Sequence, residues 1–166
     1  MYSGITFTYN SALPAPSLNI EAGPHLHPGK WHLLPLGDVT IPLNGATPTL
    51  GAGFYATAKP DDKFSLDLSG RYSHNTATNT PSLEGKITPA TALGKGWFVG
   101  EETSVQYDLN GPFKVTTGPV LRYATVASHV TFVPAYQLTA TPDGIQHAFV
   151  YTVRGRVGIF RKAGTK

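Results

Sequence analysis

The chain contains no cysteine and few charged residues. Only 14% of its 166 residues are Asp, Glu, Lys or Arg, whereas a soluble domain usually carries about 25%. Without cysteine the protein can form neither a disulfide framework nor a thiolate metal site, and it has no thiol nucleophile. The 18 glycines and 14 prolines are residues that break helices, so they exclude a helical bundle and a coiled coil.

Long apolar runs and long runs of like charge are also missing. No stretch approaches the ~20 apolar residues of a membrane-spanning helix, and the residues after Met1 show neither the basic nor the apolar region of an export signal. The net charge is +3, but no basic run exceeds two residues, so we expect no nucleic-acid partner. The length fits one domain, which we predict to span residues 1–166.

What the chain does have, from end to end, is alternation with a period of two. Apolar residues such as Phe64, Leu66 and Leu68 occupy every second position, and small or charged residues lie between them. This pattern indicates β-strands with two different faces, and turn residues separate one segment from the next. The predicted strands are 4–14, 17–27, 31–43, 46–58, 63–74, 82–93, 96–109, 113–127, 129–141 and 145–161.

Ten consecutive strands of this kind predict an all-β meander. An open ten-stranded sheet would leave two long unpaired edges, which proteins avoid. We therefore predict a ten-stranded antiparallel up-and-down β-barrel that is closed. Closure requires the first strand, around Ile5 to Tyr9, to pair with the last, around Phe149 to Val157. The even number of strands places both termini at the same rim.

Two turns predict which residues pair across their hairpins. Asn44-Gly45 fits a two-residue type I′ turn, because both of its central residues tolerate a positive φ. That turn would pair Val39 with Leu50, so that apolar faces meet across the hairpin. Asp143-Gly144 is expected to form a second two-residue turn, between the last two strands.

The two faces of the predicted barrel differ in composition. One is apolar, and the other carries charges of both signs diluted by Ser, Thr and Gly. Small residues fit the concave wall of a narrow lumen, and balanced charges can pair across it, which limits the cost of their confinement. We therefore predict that the apolar face contacts lipid. The predicted lumen-lining residues are Glu21, Asp38, Asp67, Arg71, Glu84, Lys86, Glu102, Lys114, Arg122, Arg154 and Arg156.

Aromatic residues cluster near the strand ends in two bands, as in the interfacial girdles of membrane barrels. The predicted membrane-interface aromatics are Tyr2, Trp31, Phe64, Trp97 and Phe132 at the rim that holds the termini, and Tyr9, Tyr72, Tyr107 and Tyr136 at the other rim. The alternative is a soluble barrel whose apolar face points inward and binds a small apolar ligand.

This architecture resembles that of outer-membrane-type transmembrane β-barrels. The resemblance covers nearly the whole chain and rests on the alternation and the turns rather than on a motif. Ten strands lie between the eight that side chains fill and the sixteen that leave a wide channel, so we expect either a narrow water-filled pore for small ions or solutes or a lumen that is blocked by ion pairs of Arg71, Arg122, Arg154 and Arg156. We expect no cofactor and no enzymatic activity. The resemblance also implies a monomer in a lipid bilayer or detergent and an outer-membrane-type location. Short connections on both rims and the missing export signal suggest a de novo designed barrel, such as a nanopore, or a trimmed natural one.

Two polar clusters could carry chemistry. Residues 71–76 are faintly similar to the His and Ser surroundings in small outer-membrane lipid A deacylases, with Glu84 as the group that would orient a histidine base; a lipid-modifying enzyme is thus a third interpretation. His25 or His27 could approach His32 across a turn, but a metal site usually needs three or four ligands, and no carboxylate is obviously placed. We therefore predict no catalytic residue and no metal site.

Overall fold

Ten antiparallel strands follow one another around a closed barrel. The structure, a computed structural model, describes residues 1–11, 13, 15–59, 63–109, 111–124 and 128–160. The predicted all-β meander is confirmed, because each strand pairs with its neighbours in sequence. The strands are β1 (Tyr2–Asn10), β2 (Ser17–Gly23), β3 (Trp31–Pro42), β4 (Thr49–Ala58), β5 (Phe64–Asn75), β6 (Thr80–Gly94), β7 (Trp97–Asp108), β8 (Phe113–Ala124), β9 (Ser128–Thr141) and β10 (Gly144–Phe160).

The barrel closes between its first and last strands, as predicted. Ile5 pairs with Val157 and Tyr9 pairs with Val153, so β1 and β10 do not present free edges. We call the rim that holds both termini the termini rim and the opposite one the far rim. Because the strands form a meander, the connection between β2 and β3 lies at the termini rim and the connection between β5 and β6 lies at the far rim.

The turn between β3 and β4 differs from the prediction. The strands pair in the predicted register, but their ladder ends at Thr40, and Asn44 lies outside the positive-φ region that a type I′ turn needs. Pro42 and Pro48 have no N–H group with which to extend the ladder. The Asn44 side chain instead accepts a hydrogen bond from the backbone N–H of Ala46 (3.1 Å).

The turn between β9 and β10 is displaced by one residue. Thr141 pairs with Gly144, so the central residues of the turn are Pro142 and Asp143 rather than Asp143 and Gly144. The fixed φ of proline suits the first central position of such a turn, and Gly144 has a φ of 129°, which other residues rarely adopt. The pairing of the two strands moves by two residues, so every side chain keeps its predicted face.

Alternate residues of each strand face outward, and these positions carry most of the large apolar side chains. Ile5, Phe54 and Leu121 are exposed, and Phe149 is 88% exposed. Among the described residues, no helix has the length and apolar character needed to cross a membrane. Most charged residues of the strands lie on the inner side of the wall, and they form the candidate site.

Candidate functional site: the charged lumen

The eleven predicted lumen-lining residues all occupy inward positions of their strands. Residues that pair across neighbouring strands share a face of the sheet. One inward row runs through Arg71, Glu84, Gln106 and Lys114 on four consecutive strands. The charges therefore lie close to one another inside the barrel, where most of them form ion pairs.

The first ion pair joins β5 to β3. Arg71 Nε donates to Asp38 Oδ2 (3.0 Å), and its Nη2 donates to Asp38 Oδ1. The same Nη2 also donates to Thr40 Oγ1 (2.9 Å), while Asn19 Nδ2 donates to Asp38 Oδ1 (3.0 Å). Gly51 of β4 lies beneath this pair: a Cβ there would sit 2.5 Å from Asp38 Oδ2 and 2.9 Å from Arg71 Nε. The pair can cross β4 because this position has no side chain.

The second ion pair joins β10 to β2 in the same manner, across β1. Arg156 pairs with Glu21, its Nε donates to the Tyr2 hydroxyl (2.7 Å), and that hydroxyl donates to Glu21 Oε1 (2.8 Å). The guanidinium also lies 4.6 Å from the centroid of the Tyr55 ring. Gly4 of β1 lies beneath, where a Cβ would sit 2.7 Å from Tyr2 Cζ and 3.0 Å from Glu21 Oε1.

The prediction that Tyr2 belongs to the membrane-interface aromatics is therefore wrong. Its side chain is only 2% exposed and lies inside the barrel. In β1 the outward positions are those of Ile5 and Phe7, and Tyr2 is out of phase with them. A buried phenol needs hydrogen-bond partners, and Glu21 and Arg156 supply them.

Two further ion pairs join strands that lie three apart around the barrel, with two strands between the partners, and so cross the lumen. Arg122 on β8 pairs with Asp67 on β5, and Arg154 on β10 pairs with Glu102 on β7. Lys86 Nζ, from the strand next to β7, lies 3.8 Å from the same Glu102 carboxylate. These side chains bridge the interior, so they narrow the open space along the barrel axis.

A cavity of about 50 Å³ remains inside the barrel, enough for roughly three or four water molecules. It is lined by Asp38, Arg71 and Glu84, by Lys86, whose Nζ lies 3.4 Å from Glu84 Oε1, and by Leu36. A pocket for a drug-sized apolar ligand usually measures about 300–1,000 Å³ and is mainly apolar. The alternative of an apolar-ligand carrier therefore conflicts with both the size and the charge of this space.

One part of the inner wall is apolar, which was not predicted. Val120, Val133, Ala135 and Val150 form a buried cluster on β8, β9 and β10, and Val120 is 3% exposed. In these strands the sequence is apolar at consecutive positions, as in residues 132–136. Such continuous runs are typical of strands that are covered on both faces, and this signal could have revealed the cluster.

The remaining predicted interface aromatics occupy outward positions. Tyr9 is half-buried, with its ring centroid 5.8 Å from that of Tyr151. Phe132 lies in the fifth position of β9, pairing with Leu121 and Val153, so this residue and Tyr136, the sixth from the other end of β9, lie further inside their strand than the others. The exposed members are Trp31, Phe64, Tyr72, Trp97, Tyr107, Phe132 and Tyr136.

The outer face also holds a carboxylate. Glu101 and Glu102 are consecutive in β7, so they point to opposite sides of the wall. Thr117 on the neighbouring strand donates to Glu101 Oε1 (3.0 Å) and also forms a hydrogen bond with Thr103 (3.0 Å). Two adjacent acidic residues within an alternating segment require that one of them lie on the apolar face. The sequence therefore contained the signal for this outward charge.

The enzyme-like cluster does not assemble. Arg71 and Ser73 face the lumen, where Ser73 forms a hydrogen bond with Ser82 (2.7 Å), whereas His74 occupies an outward position. Glu84 lies on the inward side. The wall of the barrel therefore separates the histidine from the carboxylate that would have to orient it.

Three histidines do come together, at the termini rim. Nitrogen atoms of His25, His27 and His32, one from each ring, all lie within 4.8 Å of one another, and His32 Nδ1 is 3.4 Å from His25 Nε2. Partial burial lowers the pKa of His25, and the neighbouring imidazoles of His27 and His32 lower it further. From the sequence this approach was only an open possibility.

Comparison with known proteins bears on the fold. No family model and no curated protein matches the chain, but solved structures do. The NanC porin, in a rhombohedral crystal form, is similar with a TM-score of 0.55 at 9% identity over 96% of this chain and 100% of that chain. The KdgM porin gives a TM-score of 0.55 at 11% identity over 97% and 100%. The fold is of the outer-membrane porin type.

A third similar structure comes from a study of the in-meso crystallization of membrane proteins. Its TM-score is 0.52 at 8% identity, over 98% of this chain and 86% of that chain. The resemblance to outer-membrane-type β-barrels is thereby confirmed for the fold. At such low identities the porin-type fold alone is shared.

Proposed function

We propose that the protein is a transmembrane β-barrel of the outer-membrane type that forms a narrow, water-filled pore and catalyses no reaction. The observation that carries this proposal is the distribution of polarity across the wall. Ile5 and Phe149 are exposed on the outside, while Glu21 is 5% exposed and lies inside. A large contiguous apolar surface marks contact with a membrane or a partner, and the porin-type fold favours the membrane.

The lumen indicates what such a pore would pass. Its inward strand positions carry six acidic and six basic residues, so selectivity between cations and anions should be weak. The cross-lumen ion pairs and the small cavity favour small ions and water over larger solutes. The charged set comprises Glu21, Asp38, Asp67, Glu84, Glu102 and Asp108 against Arg71, Lys86, Lys114, Arg122, Arg154 and Arg156.

The outer face and the closed sheet indicate the surroundings of the protein. The outward apolar positions would contact a lipid bilayer or detergent, and closure of the sheet leaves no strand edge for another subunit, which supports a monomer. Among the described strand residues, the inward charges are balanced in sign and form no basic stripe for a nucleic acid. Short connections such as the four residues between β5 and β6 also support a designed or trimmed barrel.

The deciding experiment is reconstitution into a planar bilayer. Protein refolded in detergent and verified as inserted should give small, steady conductance steps. An absence of current from inserted protein would show that side chains fill the lumen and that the barrel is structural. A monodisperse monomer in detergent-free buffer would contradict the membrane proposal itself, because the outer face would then tolerate water.

The two adjacent glutamates supply a matched test of the lumen. Glu102→Gln removes an inward carboxylate and leaves Arg154 and Lys86 in excess, so the reversal potential in a salt gradient should shift toward anion preference. Glu101→Gln makes the same chemical change one residue away on the outer face and should leave the reversal potential unchanged. Equal shifts from both substitutions would contradict the assignment of the conducting side.

A further inference from the structure

The three histidines at the termini rim are held in place by backbone pairing beyond the ends of the strands. Leu26 and Leu33 form an antiparallel bridge, in which each N–H donates to the other residue's carbonyl (2.9 Å for both bonds). This bridge places His27 opposite His32 and His25 diagonally across from it, all on one face. The ring centroids lie 3.9 Å apart for His25 and His27, and 4.6 Å apart for His27 and His32.

We propose that His25, His27 and His32 bind a divalent transition-metal ion of the zinc class. In a tetrahedral zinc site with Zn–N bonds of ~2.0–2.1 Å, two ligand nitrogens are about 3.3 Å apart. The observed 3.4 Å between His32 Nδ1 and His25 Nε2 matches that spacing. A nitrogen of His27 also lies within 4.8 Å of a nitrogen in each of the other two rings, so rotation of this one exposed side chain completes a three-nitrogen set.

The chemistry of the donors selects the ion. Neutral imidazoles are ligands for Zn²⁺, Cu²⁺ and Ni²⁺, whereas Mg²⁺ and Ca²⁺ require oxygen donors. Three protein ligands leave a fourth position open to water, as in zinc sites that exchange ligands. The sequence did not predict this site, because the spacing alone does not say whether His25, His27 or both face His32; the Leu26–Leu33 bridge decides that both do.

The proposed metal site lies at one mouth of the lumen. Asn19 and Glu21 occupy inward positions of β2. Every second residue after them faces the same side, so His25 and His27 also lie on the inward side, together with His32, which is opposite His27. The connection between β2 and β3 lies at the termini rim, so a bound ion would add two positive charges at one mouth of the barrel. This consequence rests on the proposed pore, whereas metal binding itself does not.

Binding can be tested without any current measurement. The folded protein in detergent should bind one equivalent of Zn²⁺ in calorimetry, and Co²⁺ should give the visible absorption of a four-coordinate nitrogen site. His27→Ala and His32→Ala should each weaken binding at least ~10-fold. His74→Ala, a histidine at the far rim, should have no effect, and circular dichroism should show that all variants remain folded. Unchanged binding in the His27 and His32 variants, or its loss in the His74 variant, would overturn the proposal.

A second measurement locates the site. In a bilayer with protein of one orientation, Zn²⁺ added at the termini rim should reduce the current of the wild-type protein and not that of His27→Ala. Addition from the opposite side should have less effect. Zn²⁺ binding in detergent without any effect on current would support the metal site and contradict its place at the mouth of a conducting lumen, so the two proposals can fail separately.

Discussion

Gly51 offers a sharp test of how the charged wall is built. In Gly51→Ala, the new Cβ would sit 2.5 and 2.7 Å from the two Asp38 carboxylate oxygens and 2.9 Å from Arg71 Nε. These distances are too short for contact, so the ion pair must open or the strand must shift. Removing a partner from a buried pair costs about 3–5 kcal/mol. Because the Arg71 side chain retains 28% exposure, we expect about 2–4 kcal/mol here.

Gly85→Ala is the matched control. Gly85 lies at an outward position of β6, where a Cβ would meet no heavy atom within 4 Å. Alanine in a strand is favoured over glycine by roughly 0.5–1 kcal/mol, so this variant should be neutral or slightly more stable. Both free energies of unfolding can be measured by urea titration in detergent or lipid vesicles, followed by tryptophan fluorescence.

A mutant cycle shows how much of the free-energy cost of Gly51→Ala comes from disturbing the ion pair between Asp38 and Arg71. In a background with Asp38→Ala and Arg71→Ala, the Cβ at position 51 no longer meets charged atoms, so the cost of Gly51→Ala should fall toward the value for Gly85→Ala. If Gly51→Ala costs no more than Gly85→Ala in the wild-type background, then the pair does not cross β4 above this glycine and the reasoning is refuted.

Three further predictions concern closure, the lipid face and the lumen. Cysteines at Ile5 and Val157 should form a disulfide on oxidation in this otherwise cysteine-free chain, and failure to do so would contradict closure between β1 and β10. Leu68→Arg, at an outward position in the middle of the wall, should destabilise the inserted barrel by about 2–4 kcal/mol; a negligible change in urea titrations from vesicles would place that face away from lipid. Replacing Arg154, whose ion pair with Glu102 bridges the lumen, with Ser should raise single-channel conductance and shift the reversal potential toward cation preference, and a decrease in conductance would show that this side chain does not narrow the pore.

Much of the architecture was predictable because it follows from a pattern with a period of two. The alternation assigns each residue to a face, and a shift of one residue would invert every assignment. For this reason the displaced turn at Pro142 changed the pairing of β9 and β10 and yet left each face as predicted. The number of strands and the closure followed from the same pattern, together with the instability of unpaired edges.

The features that the sequence pattern did not predict depend on contacts between residues that are distant in the sequence. Tyr2 was assigned to the outer face because aromatic residues often occupy strand ends, but its phase along β1 and the charges of Glu21 and Arg156 place it inside. The convergence of His25 and His32 depends on a two-residue backbone bridge that no local pattern predicts. Ion-pair partners were also unassigned, since the balance of charges says that they can pair but not which do.

The ion pairs of the lumen divide into two kinds with different consequences. Arg71 with Asp38, and Arg156 with Glu21, are separated by one intervening strand, and each lies flat against the wall over a glycine, Gly51 or Gly4. Three of these four charged residues, Glu21, Asp38 and Arg71, also line the cavity inside the barrel.

The pairs of Arg122 with Asp67 and of Arg154 with Glu102 instead cross the lumen. Removing one of these pairs takes away side chains that bridge the lumen, so it should widen the pore more than removal of a wall pair. A barrel of ten strands is close to the size at which side chains alone fill the interior. Its conductance would therefore be set mainly by the pairs of Arg122 with Asp67 and of Arg154 with Glu102, which bridge the lumen.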